Sequence, residues 1–165
     1  SHEDVQFFLP RAHTIDRSEL EAFISERKVP VTITEDHTYD LMQICDVCLA
    51  ASGTATLETA MMELPTVLLY KVSPITYGIG KMVVNLTHVG LPNIVAGKEV
   101  IPELLQDDVS VDAIVNTVLP LLDDLQVNQR MRTELRSVRD KLGEPGAVNR
   151  VAQLIYDLGK ENIDE

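Results

Sequence analysis

The stretch Asp46-Val47-Cys48-Leu49-Ala50-Ala51-Ser52-Gly53-Thr54-Ala55-Thr56-Leu57-Glu58 passes from an apolar run, through small residues, into a helical pattern. It predicts a strand over 46–51 that opens directly into a helix over 54–63. A helix that starts so abruptly presents unpaired backbone N–H groups and a partial positive charge. Gly53 lets an anion approach the backbone and Ser52 and Thr54 add hydroxyl donors, so the turn suits a diphosphate. Glu58 follows Thr54 by one helical turn, which puts both on one face and lets the carboxylate accept hydrogen bonds from ribose hydroxyls. The bland alternative makes Ser52 or Thr54 an N-cap and Glu58 a solvated acid, with Leu57, Met61 and Leu64 as the buried stripe.

Working outward, short apolar runs at 5–9, 31–34 and 66–71 read as further strands. Helical patterns at 16–28, 39–44 and 74–85 separate them, each long enough to return the chain for a parallel neighbour. A Gly- and Pro-punctuated stretch over 88–102 follows, and from there helices alone are predicted, at 103–106, 111–123, 127–142 and 147–158. The expected architecture is α/β, a parallel sheet with a helical C-terminal tail. The whole chain, 1–165, reads as a single domain with 103–165 as its helical portion.

Composition narrows the function. Apolar residues make up 45% and charged residues 24%, which argues against disorder and fibrous repeats. A net charge of −12 repels a nucleic-acid backbone, so no nucleic-acid partner is expected, while one diphosphate can still bind locally. Aromatics are 4% with no Trp, so sugar contacts would be polar rather than stacked. No apolar run approaches the ~20 residues that span a bilayer as a helix. Two cysteines without a leader-like segment suit a reducing, cytoplasmic setting.

Other signals carry less. Cys45 and Cys48 have C-x-x-C spacing but straddle a helix end and a strand, as buried thiols do. His2, His13, His37 and His88 show no paired spacing, and the Asp107-Asp108 and Asp123-Asp124 pairs flank helix boundaries, so no metal site is expected. Arg132, Arg136 and Arg139 share a helical face that reads as solvated. Taken alone, Leu91-Pro92-Asn93 reads as a turn.

Three motifs taken together are more specific. They are Ala51-Ser52-Gly53-Thr54-Ala55-Thr56-Leu57-Glu58, Leu91-Pro92-Asn93-Ile94-Val95-Ala96-Gly97-Lys98-Glu99 and Pro102-Glu103-Leu104-Leu105-Gln106. In order and content they resemble the C-terminal, nucleotide-sugar-binding half of lipid A disaccharide synthase, from about residue 7 to about residue 122.

The resemblance implies one Rossmann-like half of a GT-B glycosyltransferase fold, acting as an inverting hexosyltransferase. It would join UDP-2,3-diacylglucosamine to 2,3-diacylglucosamine 1-phosphate and release UDP. By resemblance Ser52, Gly53 and Thr54 face the diphosphate, Glu58 the ribose, and Asn93 completes the donor pocket, with Glu99 and Gln106 as further candidates. The family's general base lies on an N-terminal acceptor domain that this chain lacks, as is the basic loop upstream of residue 5, so no catalytic residue and no cofactor is expected here. In a sheet ordered 3-2-1-4-5-6 the absent strand would fall between 5–9 and 46–51. The implied partners are the UDP-sugar and, through the absent domain, the lipid acceptor, with peripheral contact at the cytoplasmic face of the inner membrane and a possible homo-oligomer. A UDP-sugar epimerase of the same fold and a noncatalytic nucleotide-binding or assembly module are the alternatives.

Overall fold

The computed structural model describes residues 4–73 and 88–161. The chain divides into two compact units, Ser1–Cys45 and Asp46–Glu165. The helix expected at 74–85 lies outside the described residues.

The first unit holds β1 (Phe7–Pro10), α1 (Arg17–Arg27), β2 (Val31–Thr34) and α2 (Thr38–Ile44). β1 and β2 pair in parallel, from Phe7 opposite Val31 to Pro10 opposite Thr34. Asp16 starts α1 by accepting the Ser18 N–H at 2.9 Å, and Lys28 ends it in the left-handed region at φ 53°. Glu35, just past β2, accepts from Arg11 at 3.0 Å and Arg17 at 3.2 Å, and these guanidiniums hold its carboxyl below the ordinary range. None of the described residues of this unit is fully buried.

The second unit holds β3 (Cys48–Ala51), α3 (Thr54–Met61), β4 (Thr66–Tyr70), α4 (Leu91–Ala96), β5 (Glu103–Leu105) and a 3₁₀ turn (Gln106–Asp108). Helices α5 (Val111–Asp123), α6 (Leu125–Leu142) and α7 (Ala147–Glu161) follow. All three strands are parallel, in the order β3-β4-β5. The central strand β4 is buried at Thr66, Val67 and Leu68, as expected of a parallel strand covered on both faces. Ala60, Leu68, Ile101, Leu135 and Val138 form the core, with α3, α4 and α5 all packed against α6.

Two local expectations are corrected. Residues 103–105 form strand β5 rather than a helix, because Leu68 and Tyr70 of β4 offer them a parallel partner and tertiary pairing overrides local pattern. The stretch over 88–102 contains helix α4, bracketed by Gly90 and by Gly97 at φ 73°, with Pro92 in its first turn where a missing N–H costs nothing.

The basic face of α6 is solvated in part, with the Arg136 and Arg139 side chains 58% and 41% exposed, but it is not free of partners. Three of its arginines converge on Glu63, which sits just past α3 at φ 53° with a side chain 15% exposed. Arg136 donates Nε and Nη2 to the carboxylate at 3.0 and 2.7 Å, Arg139 pairs with its other oxygen, and Arg132 Nη1 reaches the Glu63 carbonyl at 3.2 Å. This cluster fastens the C-terminal end of α3 to α6. The hydrogen bonds from Arg136, with the neighbouring arginine charges, hold the Glu63 carboxyl below its ordinary 4.5. A depressed folded-state pKa contributes stability that is present above the ordinary carboxylate range and lost as pH falls through the folded value. Glu63→Gln is therefore expected to cost on the order of 1 kcal/mol at pH 7, with the gap between parent and variant narrowing in thermal melts as pH is lowered from 7 to 3. A gap that stays constant between those pH values would contradict the ion-pair account.

Candidate functional site

The candidate turn is built by the end of β3 and the start of α3. Gly53 stands at the N-cap position with φ 144° and ψ −163°, backbone angles open essentially to glycine alone. No side chain caps the helix there, so Ser52 and Thr54 are not engaged as the bland alternative required. Thr56 turns inward and donates both its N–H, at 3.2 Å, and its hydroxyl, at 2.8 Å, to the Gly53 carbonyl. The N–H groups of Thr54 and Ala55 keep the open status of a first helical turn.

The buried face of α3 is Thr56, Thr59 and Ala60, whereas Met61 is 43% exposed and Leu57 only half-buried. Threonines can line this core because their hydroxyls are satisfied locally, Thr59 donating to the Thr56 carbonyl at 2.9 Å. With the threonines inside, Gly53 and Thr54 are exposed and Ser52 and Glu58 half-buried along the outer side of the turn. Among the described residues, no hydrogen bond engages the side chains of Ser52, Thr54 or Glu58.

Sheet register brings a further candidate to the same edge. Ala51 lies opposite Leu69, and Tyr70 opposite Leu105, so Ser52 falls in line with Tyr70 and Leu105, and Lys71 and Gln106 follow one residue later at the same carboxyl edge. Ser52 and Gln106 stand two strand spacings, about 10 Å, apart. Gln106 is held at φ 51°; its Oε1 accepts the Val72 N–H at 3.2 Å, while its Nε2 is shielded from solvent and has no partner among the described residues.

Asn93 and Glu99 are not brought there. Asn93 is fully buried, donating to the Ile101 carbonyl at 2.9 Å and to Glu103 at 2.7 Å, and accepting the N–H groups of Val100 at 2.7 Å and Ile101 at 2.9 Å. That uses all four hydrogen bonds a carboxamide can make, so the side chain faces the interior rather than an open pocket wall. Glu99 stands in the exposed turn beyond Gly97, at the far end of α4 from Gly90.

The remaining signals resolve simply. Asp124 caps α6 by accepting the N–H groups of Gln126 at 2.8 Å and Val127 at 3.3 Å. Cys45 and Cys48 are not in a disulfide, and the described residues hold no cluster of groups able to bind a metal ion. No helix among them is long and apolar enough to cross a membrane.

The family model for lipid-A-disaccharide synthetase matches residues 1–155. The chain belongs to that family. Among its relatives, the lipid-A-disaccharide synthase of Geobacter sulfurreducens is 42% identical over 161 residues, which is 97% of this chain and 42% of the relative. Those of Geobacter metallireducens and Syntrophotalea carbinolica are 39% and 36% identical, each matched over 41% of its length. The chain thus spans about two fifths of the curated relatives it matches.

Neither Glu103 nor Glu63 is legible from pattern in this synthetase-family sequence, since the stretch around Glu103 reads as a helix and the arginine partners of Glu63 lie some seventy positions away. At the turn, a Cβ added to Gly53 would meet nothing within 4 Å, so any penalty for substitution there is backbone strain and not collision. Gly53→Ala is expected to destabilise the chain by about 1–3 kcal/mol in urea unfolding. A change within experimental error would show that the turn relaxes freely and is not held.

Proposed function

We propose that this chain forms the nucleotide-sugar-binding half of a lipid A disaccharide synthase, the donor domain of an inverting GT-B hexosyltransferase. The observation that carries this reading is the uncapped turn of Ser52, Gly53 and Thr54 at the carboxyl edge of a parallel sheet, where α/β folds bind their ligands. Family membership supports the sugar chemistry.

In this reading the diphosphate of UDP-2,3-diacylglucosamine accepts hydrogen bonds from the N–H groups of Thr54 and Ala55 and from the Ser52 and Thr54 hydroxyls. Glu58, one turn along α3, accepts from the ribose hydroxyls. Gln106, near the same edge, supports the pocket through the Val72 N–H that its Oε1 accepts. Asn93 serves the pocket from behind, through the backbone it holds, and Glu99 stands as the outlying member of the set.

Transfer forms a bond from the acceptor hydroxyl oxygen of 2,3-diacylglucosamine 1-phosphate to the anomeric carbon. The bond from that carbon to the β-phosphate oxygen breaks, UDP leaves with the electron pair, and the hydroxyl proton passes to a base on the acceptor domain. The first turn of α3 stabilises the charge gathering on the departing diphosphate. The lipid acceptor, contact with the cytoplasmic face of the inner membrane, and any homo-oligomer belong to the whole enzyme in this proposal.

Titration of the chain with UDP is expected to shift the amide resonances of Ser52 to Glu58, and Glu58→Ala to weaken binding by about tenfold or more. The same variant should change folding stability by less than about 1 kcal/mol, as befits a first-turn acid. Absence of shifts in that segment, or equal loss of folding and binding, would overturn the site. Because the base lies on another domain, the chain incubated with donor and acceptor is expected to yield no disaccharide by mass spectrometry. Turnover of roughly 1 to 10³ per second would refute the division of labour.

A further inference from the structure

One carboxylate of the second unit is engaged in a way the proposed donor site does not use. Glu103, on β5, gathers two backbone N–H groups from the segment that leads into α4 and one side-chain N–H from α4 itself. Its Oε1 accepts from Gly90 at 2.9 Å and from Asn93 Nδ2 at 2.7 Å, and its Oε2 accepts from Val89 at 2.9 Å. Asn93 passes the connection on to the backbone of Val100 and Ile101, so β5 and the turn before it are tied to the start of α4 at several points. Gly90 is pressed close: a Cβ there would lie 3.0 Å from Leu68 Cδ1 on β4 and 3.1 Å from Glu103 Oε1.

The position of α4 bears on α3. The two helices pack against each other and both against α6, and Val95 and Ala96 of α4 join the cluster that contains Ala60 of α3. At its C-terminal end α3 is fastened by the Glu63 arginine cluster. Its flank is set by α4, and the place of α4 is set by Glu103.

We propose that Glu103 is a positioning residue for the donor site, holding α4 so that α3 presents its first turn at the right place. The inference rests on the donor-site reading above. The chemistry demands a carboxylate, since three N–H donors converge on two oxygens. A glutamine of the same shape would set an NH₂ group against one of those donors, leaving both unsatisfied. Apart from Asn93, which it holds by a hydrogen bond, Glu103 touches no residue proposed for the donor site, so its influence on the turn is indirect and passes through packed helices.

The test compares parent, Glu103→Gln and Glu58→Ala by amide NMR, with UDP as the titrant and thermal melts as the measure of folding. In the UDP-free Glu103→Gln protein the amide resonances of Thr54 to Thr56 are expected to move, which a role confined to α4 would not produce. Its UDP affinity is expected to fall roughly threefold to thirtyfold while the melt stays cooperative. Unchanged resonances at Thr54 to Thr56, or an unchanged affinity beside a parent that binds UDP, would overturn the positioning role. A parent that shows no shifts at Ser52 to Glu58 would instead overturn the donor-site reading. Should Glu103→Gln fail to fold, Gly90→Ala displaces the same segment with the carboxylate intact; it is expected to weaken UDP binding in the same range, and an unchanged affinity would again refute the proposal.

Discussion

A parallel strand buried on both sides governs the second unit. β4 receives β3 on one edge and β5 on the other, and its Thr66, Val67 and Leu68 are closed off from solvent. Every backbone group of such a strand must be paired by its neighbours, which aligns the three strands and brings their carboxyl ends out along one edge. That Gln106 leaves the sheet beside Ser52, one residue past the row of Ser52, Tyr70 and Leu105, follows from that register and from nothing local to either residue.

The turn at the end of β3 is then shaped by a choice of inward residues. Thr56 and Thr59 take the buried face of α3 and satisfy their hydroxyls on the helix's own carbonyls, which turns Thr54 outward with the first turn uncapped. A cap by Ser or Asp would have stabilised the helix by about 1 kcal/mol and blocked the anion-binding position at once. Glycine at φ 144° contributes to the same end, since it completes the sharp bend without a side chain over the open N–H groups.

Polar groups behind the turn do much of the ordering. Glu63 with its arginines and Glu103 with Asn93 lie on different elements, yet both hold helices that buttress α3. Each carboxylate answers several donors, an arrangement in which loss of one partner costs more than a single exposed ion pair would suggest.

Much of this was legible in the sequence. The strand–glycine–helix transition at Ala51 to Thr54, the four principal strands, the long C-terminal helices and the capping role of Asp124 all follow from spacing and side-chain chemistry, because each depends on residues near one another in the chain. What the sequence could not specify depended on partners far away. Glu103 to Leu105 became a strand only because β4 lay beside it; Arg132, Arg136 and Arg139 were drawn together only because Glu63 stood opposite; and Asn93 turned inward only because Glu103 and Ile101 met it there. Pattern along a chain reports which face of an element is apolar, whereas the identity of the group that meets a polar side chain is fixed by packing, and in this protein packing decided which of the polar residues remain open to a ligand.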